Sequence, residues 1–184
     1  MIKLKSLLPV VIVAAGVAGT QAAHAHDGTI TFTGQIRGGS CAISGGAGGS
    51  PNFTVSLPEV STKSLSTAGQ TAGSTPFSIV LKDCNPADGT VQALFELDTK
   101  NPNLDQETKN LKVDAGGAEN VQIRLLNAEA KQIVLGADIN SQNSPQAKLN
   151  QGGATLNYYA QYFATGAVKP GTVNASVTYT IIYH

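Results

Sequence analysis

The chain has 184 residues, with 12 basic and 12 acidic side chains and no Trp. Charge this sparse and this balanced leaves no basic patch for nucleic acid and no amphipathic basic helix for a membrane surface. Gly, Ser, Thr, Asn and Ala are abundant, and Val, Ile and Thr recur in short alternating runs, the composition of an all-β exported protein.

Lys3 and Lys5 precede an uncharged apolar stretch from Leu7 to Thr20, which closes on Ala23-His24-Ala25. That order of charge, apolar run and small-x-small site is a secretory signal peptide over residues 1–25, cut before His26. A membrane anchor would need about 20 apolar residues, and this run is shorter. Residues 26–184 are enough for one domain of about 100–150 residues plus a tail.

In the next segment Ile30, Phe32, Gly34 and Ile36 share one parity, and Thr29, Thr31, Thr33 and Gln35 share the other. This is a strand with one apolar face, interrupted where Gly34 stands in place of a side chain. Cys41 and Cys84 are an even pair in an exported chain, so a disulfide is expected. Closing a loop of that length stabilises the fold by on the order of 4 kcal/mol in the chain-entropy picture. Two thiols this far apart, with no CxxC and no His pair, do not make a zinc site.

Between the cysteines, residues 45–49 read as a flexible glycine loop. Phe53, Val55 and Leu57 alternate as a strand before Pro58, and residues 61–75 read as a surface connection. Phe77, Ile79 and Leu81 alternate up to Cys84, and Asn85-Pro86-Ala87-Asp88-Gly89 is a turn. Further strands are expected over Val91–Leu97, Val121–Leu125, Ile133–Leu135 and Leu156–Tyr162, with Ala147 and Leu149 able to pair and the remaining stretches as loops. After Pro170-Gly171 comes the clearest pattern: Val173, Ala175, Val177, Tyr179, Ile181 and Tyr183 alternate without a break. Seven or so short strands with turns between them argue for an immunoglobulin-like β-sandwich.

Three groups of residues resemble the type 1 fimbrial major subunits, a family of chaperone–usher pilins. They are Gly28 to Ile36 followed by Cys41-Ala42-Ile43; Asp83-Cys84 after an alternating strand; and Tyr162-Phe163-Ala164-Thr165-Gly166 with Pro170-Gly171 and a strand ending on the penultimate Tyr183. Gly171 stands fourteenth from the end, where the family's chaperone-recognition motif places a glycine. The resemblance implies an incomplete immunoglobulin-like β-sandwich over residues 38–184, which lacks its last strand. It also implies an N-terminal donor-strand extension over residues 26–37.

On that resemblance the chain is a structural subunit of a bacterial surface fimbria, polymerising head to tail by donor-strand exchange and supporting adhesion and biofilm formation. Its donor strand would present Ile30, Phe32, Gly34 and Ile36. Its groove and chaperone-recognition strand would present Gly171, Val173, Ala175, Val177, Tyr179, Ile181 and Tyr183. Its partners would be further copies of itself, a periplasmic chaperone, an outer-membrane usher and a tip adhesin. It would be exported through the periplasm to the cell surface. Strand addition of this kind joins backbone edges and seats alternate side chains in pockets.

Other readings are weaker. Residues 28–36 could be the first strand of a complete sandwich, but Gly34 in the apolar phase speaks against it. The glycine loop carries no Lys and opens no helix, so it is no phosphate cradle. Asp83, Asn85 and Asp88 lack the spacing of a calcium loop. The sequons at Asn52 and Asn174 are not expected to be used by a bacterial exporter, and the second lies within the terminal strand. His26 and His184 lie at the mature ends, away from any Ser or Cys that could serve as a nucleophile. No enzyme, metal or cofactor is therefore expected. The alternatives left are a minor adaptor pilin and a secreted immunoglobulin-like binding module.

Overall fold

The computed structural model describes residues 40–46, 49–96 and 103–184. The expected signal segment 1–25 and extension 26–37, with Ile30, Phe32, Gly34 and Ile36, lie outside the described residues. Eight strands follow in order: β1 (Ser40–Gly45), β2 (Thr71–Asn85), β3 (Thr90–Glu96), β4 (Leu111–Lys112), β5 (Glu119–Asn127), β6 (Ala147–Lys148), β7 (Ala154–Lys169) and β8 (Thr178–Tyr183). They form a five-stranded sheet ordered β1-β2-β7-β5-β4 and a three-stranded sheet ordered β6-β3-β8. Every pairing is antiparallel.

Alternation decides which side chains meet between the sheets. Ile79 and Leu81 of β2, Leu156, Tyr158 and Ala160 of β7, and Ile123 and Leu125 of β5 share one core with Val91, Ala93 and Phe95 of β3 and Ile181 of β8. Tyr158 is fully buried at its centre, edge-on to Phe95 at 4.9 Å between ring centroids, with its hydroxyl 3.0 Å from Ser144 Oγ. The expected disulfide joins Cys41 in β1 to Cys84 near the end of β2.

Several sequence expectations change. Residues 61–75 are not all surface connection: Thr62–Leu65 is a short 3-10 turn that buries Leu65, and β2 already begins at Thr71. Ile133 and Leu135 are buried but form no strand, because that segment is held by single bonds such as Ile133 N to Leu125 O at 2.9 Å. Strand β7 runs to Lys169, beyond the expected Tyr162, because Gln122 and Val121 of β5 pair with Phe163 and Ala164.

Buried amides hold the loops that alternation does not explain. Gln142 is wholly buried, donates to Phe95 O at 2.8 Å and accepts from Phe95 N at 2.8 Å. It thereby stands in for a neighbouring strand where β6 has ended. Asn110 is also fully buried; it donates to Gln122 Oε1 at 3.0 Å and accepts from Arg124 Nε at 3.2 Å.

Candidate functional site: an open groove beside the last strand

Among the described residues strand β8 is the edge of its sheet, and its pairing parity shows what that edge presents. His184 N donates to Thr90 O at 2.9 Å, and Thr90 N to His184 O at 3.4 Å. In an antiparallel ladder such doubly bonded pairs alternate, so residues 178, 180 and 182 also turn their backbone groups to β3. The odd residues turn theirs to the open side. The same parity carries the apolar side chains inward: Val173, Ala175, Val177 and Tyr179 are half-buried, and Asn174, Ser176 and Thr178 are exposed.

The alternation read as one strand over 173–183 is therefore two things. Residues 178–183 are laddered to β3, whereas 170–177 belong to no ladder. The carbonyls of Thr172 and Asn174 are instead met by Ala118 N at 2.8 Å and Asp114 N at 2.9 Å. The expected strand at Phe53, Val55 and Leu57 is also extended without a ladder, its apolar side chains half-buried and Asn52, Thr54 and Ser56 exposed. Among the described residues, no strand lies between these two walls.

The space they enclose is a cavity of about 830 Å³. Its floor is Ile79, Phe95, Ile123, Leu125 and Ala160, all from the core, and among the described residues no charged one lines it. At one end Phe53 is flanked by Phe77 and Tyr179, with ring centroids 6.2 and 6.4 Å away. The Phe53 ring lies directly on Gly45, where an added Cβ would overlap it. Gly45 and Gly46 are thus a seat for an aromatic ring, which the composition of their segment did not reveal. Tyr179 also donates its hydroxyl across the groove to Pro51 O at 2.8 Å.

At the other end, Tyr162 packs over Gly73, where a Cβ would come within 3.0 Å of its ring and φ is +66°. A second cavity of about 510 Å³ adjoins there, sharing Tyr162, Val173 and Asn174. Burial raises the Tyr179 hydroxyl pKa; burial, and then the charge of Glu59, raises that of Tyr162.

Of the residues expected on the groove strand, Val173, Ala175, Val177 and Tyr179 line the main cavity. Ile181 is 8 % exposed within the core, Tyr183 packs against the core further along β8, and Gly171 lines the second cavity. Sequence reasoning missed that residues 53–57 form the opposite wall, and that Phe77 and Tyr162 complete the lining. The alternation before Pro58 was visible, but alternation reports which way side chains face and not whether a partner strand exists.

A family model described as type-1 fimbrial protein, A, matches residues 57–184. The chain is 42 % identical over 172 residues to the F17 fimbrial protein of Escherichia coli, covering 90 % of this chain and 92 % of that one. The chain belongs to the type-1 fimbrial protein family. It is likewise 42 % identical over 173 residues to a major fimbrial subunit of Stenotrophomonas maltophilia, with 91 % and 98 % of the two chains covered. Among solved structures, the P pilus rod subunit PapA aligns with a TM-score of 0.59 at 20 % identity, over 78 % of this chain and 99 % of that one. A chaperone–usher pilus subunit aligns at 0.60 and 22 %, over 86 % and 96 %. Those two likenesses bear on fold, and the fold they share is that of an immunoglobulin-like pilin. As a type-1 fimbrial protein the chain is a structural subunit of fimbriae, and its groove can be understood in those terms.

Proposed function

We propose that the groove accepts an extended strand, residues 26–37 of the next copy of this chain, and that the subunits join head to tail into a surface fibre. The observation that carries this reading is the strand-shaped gap, among the described residues, between 51–57 and 173–179, apolar beneath, with residues 53–57 and 173–177 in no ladder. From Val173 to Tyr179 an extended wall measures about 20 Å, and Ile30 to Ile36 spans the same number of steps. Both runs offer four positions in phase. Ile30, Phe32 and Ile36 would each gain about 1.5–3 kcal/mol on burial, which an isolated strand cannot realise.

An open edge above an apolar floor is a hazard for any monomer in transit. A periplasmic chaperone that fills the groove before the outer-membrane usher exchanges it for the donor strand answers that hazard. A tip adhesin would end the fibre, and the fibre would serve adhesion and biofilm formation at the cell surface. The role is structural and not enzymatic. A contact made by two different faces of one chain does not close on itself, so it yields a filament.

Gly34 supplies the test. If the neighbour's groove leaves no room there, Gly34→Trp overpacks it at a cost of at least about 1–3 kcal/mol. Chaperone-bound subunit should accumulate normally while surface fibres fail to form. Normal fibres, or loss of the chaperone-bound subunit itself, would refute the donor-strand assignment.

A further inference from the structure

We propose that residues 51–57 form a movable wall of the groove and that the Tyr179 hydroxyl is its latch, so that this side chain sets how fast a strand enters or leaves. The inference rests on the strand-acceptor reading and adds a control point to it.

The wall is poorly tied along its length. Among the described residues, no residue from Phe53 to Leu57 makes a backbone hydrogen bond. The chain is fastened just before the wall, by Gly45 N to Ser50 O at 2.9 Å, and Asn52 N is satisfied locally by Ser50 Oγ at 3.2 Å. Pro51 and Pro58 bracket the segment and donate no backbone hydrogen bond themselves. Its cross-groove tie is the bond from Tyr179 Oη to Pro51 O.

That bond has the character of a latch. It is neutral and solvent-exposed, so water can replace it at small cost. It spans the groove from one wall to the other, and the ring that carries it packs beside Phe53, the wall's apolar foot on Gly45. Widening the groove requires Tyr179 to release Pro51 while Phe53 pivots on its glycine seat.

The test uses the full mature chain, refolded with an excess of a fluorescent peptide of residues 26–37 and then challenged with unlabelled peptide. Tyr179→Phe keeps the ring and removes the donor; peptide exchange should quicken about three- to tenfold, the weight of one exposed neutral hydrogen bond. Chymotryptic nicking at Phe53 should rise, with other sites unchanged. A merely structural loss would raise nicking throughout. Equal exchange rates in the wild type and Tyr179→Phe, with the wild type binding peptide, would overturn the latch alone. A wild type that takes up no peptide would overturn the acceptor reading and the latch together. Phe53→Leu, which shrinks the pivot and keeps the hydroxyl, should also quicken exchange; a slower rate there would overturn the movable wall.

Discussion

Replacing Gly171 by alanine isolates one backbone contact that shapes the groove. An added Cβ there would lie 2.6 Å from Ala118 N, 2.8 Å from Ala118 Cα and 2.9 Å from the Gly117 carbonyl carbon. All three are main-chain atoms, which cannot rotate aside. Gly171 does not occupy the left-handed region, so what it supplies is space rather than conformational freedom. Across the contact, a Cβ on Gly117 would overlap the Thr172 carbonyl oxygen. Prising the segments apart strains the bonds from Ala118 N to Thr172 O and from Asp114 N to Asn174 O. Overpacking of this kind costs about 1–3 kcal/mol, and a domain of this size loses about 2–4 °C of Tm per kcal/mol, so a fall of about 2–12 °C is expected. The assay is calorimetry of the mature subunit with its groove filled by the peptide of residues 26–37. Gly117→Ala should do similar damage, and the double variant should cost less than the two combined, because one separation relieves both. A fall in Tm of less than about 1 °C for Gly171→Ala, or full additivity in the pair, would refute the reasoning.

Three other outcomes follow from particular contacts. Replacing Cys41 with Ser should cost on the order of 4 kcal/mol, lowering both the denaturant midpoint and the yield of folded subunit; non-reducing mass spectrometry of the native chain should show no free thiol. Gln142→Leu leaves Phe95 N and O without their partner, and urea denaturation should show a loss of about 2–4 kcal/mol. Burial raises the Tyr158 pKa, opposed in part by bonds from Ser144 and the Ala93 backbone. A group raised on folding stabilises fully below its unfolded pKa, so stability should hold up to about pH 10 and fall as pH rises further. Tyr158→Phe should flatten that alkaline fall, as read from denaturation curves at successive pH values.

The β-sandwich was legible because its core strands bury every second residue, as Ile79, Leu81, Leu156, Tyr158 and Ala160 show. The same signal misled where burial is only half complete. Val173, Ala175 and Val177 alternate as strictly as Ile181 and Tyr183, yet only the latter lie in a ladder, since pairing depends on a partner elsewhere in the chain. The wall at Phe53 looked like an ordinary strand for the same reason. Other features carried no periodic signal. Leu65 is one apolar residue in a run of Ser, Thr and Gly, and Gln142 and Asn110 look like loop residues until the backbone they serve is seen.

The position of the disulfide has a mechanical consequence. If residues 26–37 link one subunit to the next, as proposed, tension in a pulled fibre reaches strand β1, which begins at Ser40. Among the described residues β1 is flanked by β2 alone, and a strand pulled from one end peels by breaking its bonds in succession. Cys41 intercepts the load one residue in and passes it covalently to Cys84 in β2. That strand lies between β1 and β7, and its register with β7 runs from Thr71–Phe163 to Leu81–Ala154, so many bonds share the force at once. Fibres treated with reductant should therefore yield at lower pulling force, by peeling from β1, even where the unstressed subunit stays folded.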